Sequence, residues 1–158
     1  MTYYDQIAQG YNELHFDEQK KKAGIILKEL KIKQTDKLLD VGCGTGKITE
    51  LFPCKVIGID PSKELLKQVK IPVVHGAAEN LPFADKSFDI VISLTAIHNF
   101  DDVGKALKEM LRVAKREMVI SVLKKARNFA EIEQKIKQIL AVNKIVEEQH
   151  DMIMFCSA

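Results

Sequence analysis

Short apolar runs alternate along this chain with longer segments in which apolar positions recur every three or four residues. The runs predict buried strands, and the longer segments predict amphipathic helices that cover them. The predicted strands are Lys37–Val41, Lys55–Ile59, Pro72–His75, Ser87–Ser93 and Met118–Leu123, followed by an antiparallel hairpin of residues 144–149 and 152–157. Strands that alternate with helices in this order indicate an α/β fold built on a mostly parallel sheet.

Helix boundaries are marked by proline and by side chains that cap helix starts. The predicted helices are Phe16–Ile32 with a lysine-rich outer face, Lys47–Phe52 ahead of Pro53, one capped by Ser62, one capped by Asp101 and Asp102 with an apolar stripe up to Ala114, and one that starts with a capping box of Asn128 and Glu131. Each helix presents an apolar stripe or end that can pack on the sheet.

The connection after the first predicted strand carries the clearest chemical signal. Asp40 lies near the end of that strand, and a turn with glycines at positions 42, 44 and 46 follows it. Glycine allows close approach of a ligand to bare peptide N–H groups. The second apolar run is followed by Asp60, where nucleotide-binding sheets hold ribose hydroxyls. Together these features predict a nucleotide-like ligand, but Lys47 occupies the position where the dinucleotide fingerprint needs its third glycine.

This arrangement resembles motif I and the following acidic residue of class I S-adenosylmethionine-dependent methyltransferases, particularly the small ubiquinone/menaquinone-methyltransferase-like ("type 11") members. The resemblance covers essentially the whole chain. It implies S-adenosyl-L-methionine as the cofactor and a Rossmann-like sheet of seven mostly parallel strands, with one antiparallel strand and helices on both faces. The implied cofactor-binding residues are Asp40, Gly42, Cys43, Gly44, Gly46, Asp60, Pro61, Ala77, Ala78, Glu79, Ser93 and Leu94.

The N-terminal segment is similar to a second family pattern. Residues 3–11, YYDQIAQGY, resemble a "YYDxIAxxY" segment that closes over the cofactor in related methyltransferases. Tyr11 is therefore a candidate wall of the methyl-transfer pocket, and the alternative is that the tyrosines pack a terminal helix onto the sheet. We expect a single domain over residues 1–158, with a helical flap and covering helix in 1–33 and the nucleotide-binding sheet in 36–158.

Two segments depart from the family pattern. Residues 76–83, GAAENLPF, resemble the "GDAExLPF" loop that lies along the adenine, but Ala77 replaces the aspartate that accepts from the adenine amino group. That contact is then absent, water-mediated or made elsewhere. Glu79 either pairs with a polar neighbour or caps local structure. Residues 112–117 keep the start of the family's "RVLKPGG" turn without Pro-Gly-Gly, which predicts a shorter connection.

The segment after the fourth strand supplies the candidate catalytic residue. Leu94–Phe100 resembles a family segment that commonly carries a histidine, here His98. A histidine beside the pocket is a candidate base, and a hydrogen-bonded structural histidine is the alternative. Methyl transfer from a sulfonium is an in-line displacement in which positioning and exclusion of water do most of the work. His98 and Tyr11 are the candidate catalytic residues facing the acceptor.

Composition and charge narrow the class of protein. The 158 residues are 46% hydrophobic with a formal net charge of +2, too small to indicate nucleic-acid binding by itself. No apolar run suits a membrane span or signal peptide, so we expect a cytoplasmic protein.

The three cysteines, Cys43, Cys54 and Cys156, are far apart without histidines at ligand spacing, which favours neither disulfides nor a metal site. The clusters Lys20–Lys22 and Lys124–Arg127 indicate solvated surface, with steering of an anionic substrate as the alternative.

We therefore expect a methyltransferase (EC class 2.1.1) that moves a methyl group from S-adenosylmethionine to an acceptor. The acceptor is either a small molecule enclosed by the N-terminal flap or a macromolecule, and a protein partner could complete an open pocket. The alternative is a non-catalytic S-adenosylmethionine-binding module or a subunit of a larger methyltransferase complex. A nicotinamide-dependent oxidoreductase is disfavoured by Lys47.

Overall fold

The computed structural model describes the backbone of residues 3–158 and the side chains of residues 14–158. Its strands are β1 (Lys37–Val41), β2 (Lys55–Asp60), β3 (Val73–His75), β4 (Phe88–Leu94), β5 (Ala114–Leu123), β6 (Ala141–Glu147) and β7 (Asp151–Ser157). Its helices are α1 (Tyr3–Glu29), α2 (Lys63–Leu66), α3 (Val103–Val113) and α4 (Phe129–Ile139), with 3-10 turns at Thr49–Leu51 and Ile97–Asn99.

The seven strands form one sheet in the order β3-β2-β1-β4-β5-β7-β6. Strand β7 is antiparallel to both of its neighbours, and every other adjacent pair is parallel. The predicted fold class is confirmed. The chain runs outward from β1 to β3 and then returns to place β4 beside β1, so the carboxyl ends of β1 and β4 flank the crevice where open α/β sheets bind ligands.

Apolar side chains from alternating strand positions build a core on each face of the sheet, because consecutive strand residues point in opposite directions. Leu38 and Ile90 belong to the core that Ile26 of α1 covers. Leu39 and Val91 belong to the core on the other face, which α3 and α4 cover. The helices therefore enclose β1 and β4 from both sides and leave their carboxyl ends accessible.

Two of the predicted helix caps are confirmed and one is wrong. The Ser62 hydroxyl accepts a hydrogen bond of 3.3 Å from the Leu65 amide, and Asp102 accepts one of 3.0 Å from the Lys105 amide. The Asn128 side chain makes no capping hydrogen bond. It donates instead to the His98 carbonyl at 3.4 Å, a tertiary contact that leaves the start of α4 without this side-chain cap.

Several element boundaries differ from prediction. Strand β6 runs from Ala141 to Glu147 instead of over the predicted residues 144–149, and two other differences have identifiable reasons. The helix predicted at Lys47–Phe52 is a 3-10 turn at Thr49–Leu51, because so few residues before Pro53 cannot offset the cost of helix nucleation. Strand β5 begins at Ala114 rather than at Met118. Its first residues extend the pairing with β4 across a β-bulge, directly after α3 ends at Val113.

Helix α1 starts earlier than the predicted Phe16–Ile32 and ends at Glu29, so the predicted flap and covering helix are one continuous element. Tyr11 falls within it, and the Tyr11 side chain lies outside the described residues. In the part of the chain that the structure describes, no helix, α1 included, combines the length and apolar character needed to cross a membrane.

Candidate functional site

Glycine is required in the turn that leaves β1. Gly42 and Gly46 have φ angles of 82° and 74°, in the left-handed region that L side chains rarely adopt. A Cβ atom at Gly42 would lie 2.6 Å from the Ala96 Cβ, and one at Gly46 would lie 2.9 Å from the Val69 Cγ1. The turn is therefore closed to side chains at these two positions by space as well as by backbone conformation.

Asp40 places a buried carboxylate beside the turn. Its Oδ2 accepts a hydrogen bond of 2.8 Å from the Thr49 hydroxyl, and only 4% of the residue is exposed. Burial raises the pKa of Asp40 to about 7, opposed by the Thr49 hydrogen bond and reinforced by the nearby charge of Asp60. A cation placed beside this carboxylate would relieve the cost of ionising it.

Asp60 fastens the turn from the neighbouring strand. Its Oδ2 accepts from the Gly44 amide at 2.9 Å, and its Oδ1 accepts from the Ser62 amide at 2.9 Å. The next residue, Pro61, is exposed, and its carbonyl lies 2.9 Å from the His75 Nε2. Each carboxylate oxygen can accept more than one hydrogen bond, so Asp60 retains the capacity to accept from ligand hydroxyls.

A cleft of about 310 Å³ lies between α1, the glycine turn and the end of β4. Five of the predicted site residues line it: Asp40, Gly42, Cys43, Gly44 and Leu94. Residues that the sequence prediction missed also line it, notably His15, Phe16 and Gln19 of α1 and Thr95 after β4. The described residues predicted for the site that do not line this cleft are Gly46, Asp60, Pro61, Ala77, Ala78, Glu79, Ser93 and His98.

Cys43 is a packing residue at the floor of the turn. A Cβ atom at Gly58 would lie 2.5 Å from the Cys43 Sγ, so the absence of a side chain at Gly58 makes room for the thiol. Burial, followed by the charges of Asp40 and Asp60, raises the pKa of Cys43 to about 12. The thiol therefore stays protonated and is a poor nucleophile.

The predicted adenine loop has both exposed and buried residues. Ala77 is exposed, whereas Ala78 is buried in the core that α3 covers. The Glu79 carboxylate accepts a hydrogen bond of 3.3 Å from the Asp102 amide at the start of α3. In this structure the Glu79 carboxylate thus fixes the loop to the start of α3.

Arg112 and Glu109 of α3 hold the continuation of this loop. The Arg112 guanidinium donates to the carbonyls of Leu81 at 3.0 Å and Phe83 at 2.8 Å. Glu109 accepts from the Leu81 amide at 3.1 Å and from the Arg112 Nε at 2.6 Å. The Arg112 hydrogen bond is the main cause that lowers the pKa of Glu109 below its ordinary value.

We expect Arg112→Lys to lower the free energy of unfolding by about 1–2 kcal/mol, because an ammonium cannot reproduce the guanidinium's fork of donors. Urea unfolding measures the change. Lys108→Arg on the same helix, where the native side chain is exposed, is the control and should leave stability within about 0.5 kcal/mol of the wild type. Wild-type stability of Arg112→Lys would contradict this role for the guanidinium.

Ser93 lies near the carboxyl end of the central strand β4, and His98 lies in the 3-10 turn that follows this strand. The buried Ser93 hydroxyl donates to the Val41 carbonyl at 2.9 Å and ties β4 to β1. His98 is half-buried in the 3-10 turn that follows β4, and its buried Nδ1 has no hydrogen-bond partner among the described residues. Burial lowers the pKa of His98, and the charge of Asp151 opposes that shift in part. The imidazole is therefore neutral at neutral pH.

Lys22 shows where the surface prediction was wrong. The cluster Lys20–Lys22 was expected to be solvated, but Lys22 is 1% exposed. Its ammonium donates to the Thr95 hydroxyl at 2.9 Å and lies 3.1 Å from the Asp151 Oδ1. Lys22 occurs four residues before Ile26, so helical periodicity places both on the face of α1 that meets the sheet. That spacing was the signal available in the sequence.

Comparison with known proteins decides the family. A family model described as a methyltransferase domain matches residues 39–122, more than half of the chain. The chain belongs to the S-adenosylmethionine-dependent methyltransferase family. Its matched region extends from β1 through β5 and includes the glycine turn, Asp60 and the end of β4.

The methyltransferase chain is 37% identical over 147 residues to the uncharacterized protein MJ1252 of Methanocaldococcus jannaschii, with coverage of 89% of this chain and 57% of the relative. It is 35% identical over 132 residues to the demethylmenaquinone methyltransferase of Staphylococcus epidermidis. That match covers 72% of this chain and 55% of the relative. The chain thus spans about half the length of the curated relatives it matches.

Solved structures share the fold. One chain of the complex between the Haloferax volcanii Trm112 methyltransferase activator and a methyltransferase superposes with a TM-score of 0.79 at 16% identity. The superposition covers 96% of this methyltransferase chain and 95% of that one. At this level of identity the likeness concerns architecture alone.

The residues of the cleft fit S-adenosylmethionine, the cofactor of this family. Its methionine end carries an ammonium and a carboxylate, for which Asp40 offers a buried acceptor and the turn offers backbone amides. A Cβ atom at Gly44 would meet nothing closer than the Leu65 Cδ1 at 3.9 Å, so the turn is open to a ligand at this position. The cleft volume lies near the lower end of the range for small-molecule sites.

Proposed function

We propose that this protein transfers a methyl group from S-adenosylmethionine to an acceptor by in-line displacement. The observation that carries the proposal is a buried, high-pKa carboxylate, Asp40, in a cleft walled by the glycine turn. When bound, the cofactor supplies an electrophilic methyl group on a sulfonium. The protein's part is to hold both reactants in line and to exclude water from them.

Each predicted residue has a role in this proposal. Asp40 and the turn of Gly42, Cys43, Gly44 and Gly46 hold the methionine moiety, and Asp60 with Pro61 holds the ribose. The loop of Ala77, Ala78 and Glu79 lies along the adenine, where backbone groups replace the aspartate that Ala77 lacks. Ser93 and Leu94 form the wall beside the sulfonium, with Leu94 contributing the surface that lines the cleft.

His98 and Tyr11 are the residues we propose to face the acceptor. A neutral imidazole with a buried Nδ1 and no hydrogen-bond partner among the described residues can accept a proton from an acceptor that must lose one. Tyr11 lies on α1, the helix that contributes His15 and Phe16 to the cleft. Measuring the rate against pH for His98→Gln and the wild type would separate a base from a structural group.

The primary test combines calorimetry with a transfer assay. S-adenosylhomocysteine should bind the purified chain, and labelled S-adenosylmethionine should deliver its methyl group to a component of cell extract. Separating the extract into small-molecule, protein and RNA fractions assigns the acceptor class. Transfer in whole extract but never with purified chain and fraction would indicate a partner subunit, as in the complex of the Haloferax neighbour. Binding without any labelled product would favour a non-catalytic module, and preference for NADH would overturn the proposal.

We expect Asp60→Ala to weaken S-adenosylhomocysteine binding by about 10-fold to 100-fold, the cost of losing charge-assisted hydrogen bonds to the turn and the ribose. Isothermal calorimetry measures the affinity. Asp89→Ala, at the other end of the sheet where that carboxylate accepts from the Lys37 amide at 2.8 Å, is the matched control. Near-native affinity of Asp60→Ala would count against the ribose assignment.

A further inference from the structure

Three distant segments of the chain converge on the hydroxyl of Thr95. Lys22 Nζ and Gln19 Nε2, both on α1, donate to the Thr95 Oγ1 at 2.9 Å and 3.1 Å. The same Oγ1 donates to Asp151 Oδ2, at the start of β7, at 2.6 Å. The Thr95 amide donates to the Ser121 hydroxyl of β5 at 2.8 Å. Thr95, directly after β4, therefore joins α1, β5 and β7 at the carboxyl edge of the sheet.

The buried ion pair of Lys22 and Asp151 and the backbone conformation of Thr95 both cost free energy, which suggests more than a structural role for this network. Lys22 is 1% exposed and Asp151 is 0% exposed, and a buried ion pair is weak evidence for stability because both charges lose their hydration. Thr95 has a φ of 53°, an outlier for a β-branched residue. Strained backbone of this kind persists where surrounding contacts over-determine it, and it is frequent at ligand sites.

The location of the network connects it with the cofactor cleft. Thr95 and Gln19 are members of the network and also line the cleft that contains Asp40. Glu18, adjacent to Gln19, lies 3.2 Å from His150 in the turn before β7, so α1 is held on the same side by a second contact. Movement of α1 would displace one wall of the cleft relative to the glycine turn.

We propose that Lys22 and Asp151 are positioning residues that seat α1 on the sheet edge and hold Thr95 and Gln19 as a preformed wall of the cofactor cleft. This inference rests on the proposed function. Neither charged group contacts the ligand in this account. Their contribution is preorganisation, which removes the cost of ordering the wall when the ligand binds.

The test separates binding from stability. The double variant Lys22→Met/Asp151→Leu replaces the pair by apolar side chains of similar size, a change that commonly preserves or raises stability. Glu148, which lies 3.9 Å from the Lys22 ammonium, loses that neighbour but keeps the amides of His150 and Asp151 as hydrogen-bond donors. We expect a melting temperature at or above that of the wild type, with S-adenosylhomocysteine affinity weaker by about tenfold or more in calorimetry. Hydrogen exchange should accelerate in residues 14–29 of α1 and stay unchanged in β1 and β4.

Matched variants keep the test decisive. Lys20→Met removes an exposed ammonium from the same helix and should leave affinity unchanged. If the double variant fails to fold, Thr95→Gly decides, because it relieves the strained φ while removing the shared hydroxyl, and it too should bind about tenfold more weakly. Wild-type affinity in the folded double variant, or in Thr95→Gly, would overturn the inference. Absence of binding by the wild-type protein would overturn the proposed function instead.

Discussion

Gly42→Ala is expected to abolish detectable S-adenosylhomocysteine binding and to lower the free energy of unfolding by about 3 kcal/mol. The new Cβ would lie 2.6 Å from the Ala96 Cβ, and the backbone at φ 82° would be strained by any side chain. Ala96 follows β4 directly after the cleft residues Leu94 and Thr95, so relief of the clash must move a wall of the site. Urea unfolding and isothermal calorimetry measure the two effects.

Gly24→Ala provides the matched glycine control. A Cβ at Gly24 meets no atom within 4 Å, and the position is exposed in the interior of α1. This change should raise the free energy of unfolding by about 0.5–1 kcal/mol, because alanine loses less entropy than glycine in a helix. Binding should be unchanged. Comparable losses of stability and binding in both variants, or intact binding by Gly42→Ala, would show that the turn does not require glycine at position 42.

The features that could be predicted from the sequence are the ones that neighbouring residues determine. Apolar runs predict the seven strands, although β6 begins three residues before the predicted residue 144. Within β1, consecutive residues then point to opposite faces, which places Leu38 and Leu39 in different cores. The glycine turn was recognisable because a left-handed backbone conformation at Gly42 leaves a direct record in the residue type. Asp102 likewise caps its helix through a hydrogen bond three residues away.

The features that could not be predicted depend on contacts between distant segments. Thr95 is joined to Lys22 across 73 residues and to Asp151 across 56 residues, and no local pattern links them. Asn128 had the residue type and spacing of a helix cap, yet its amide donates to the His98 carbonyl 30 residues away. In each case a polar side chain has a partner that is distant in sequence and that only the assembled fold brings close.

The two ends of β1 show how the same residue type serves opposite purposes. Asp36, before β1, is 4% exposed and lies 3.0 Å from the Arg116 guanidinium, whose hydrogen bond lowers the pKa of Asp36 despite its burial. Asp40 is equally buried but accepts only the neutral Thr49 hydroxyl among the described residues, and burial raises its pKa. At the start of β1, away from the cleft, the Arg116 guanidinium is the cation that pairs with Asp36. At the cleft, no described lysine or arginine forms an ion pair with Asp40, so a positively charged ligand group can supply the cation.

The sign of the resulting pH dependence follows from linkage. Because the folded-state pKa of Asp40 is raised from 3.8 to about 7, the folded protein binds this proton more tightly than the unfolded chain. Stability from Asp40 is complete below about pH 4 and is lost as pH rises toward 7, by at most about 4 kcal/mol. Asp36 has the opposite sign, because its lowered pKa contributes stability that is lost as pH falls.

Asp40→Asn is therefore expected to raise the free energy of unfolding at about pH 8 by about 2 kcal/mol while weakening S-adenosylmethionine binding by about 100-fold or more. In the wild type, affinity should increase with pH up to about 7 and then level off, with a proton released on binding that calorimetry in two buffers can count. In Asp40→Asn both the pH dependence and the proton release should disappear. Asp36→Asn, the control, should lose stability at neutral pH and keep the wild-type binding profile. Survival of the pH dependence in Asp40→Asn would assign it to another group, such as His98, and would remove Asp40 from the proposed methionine site.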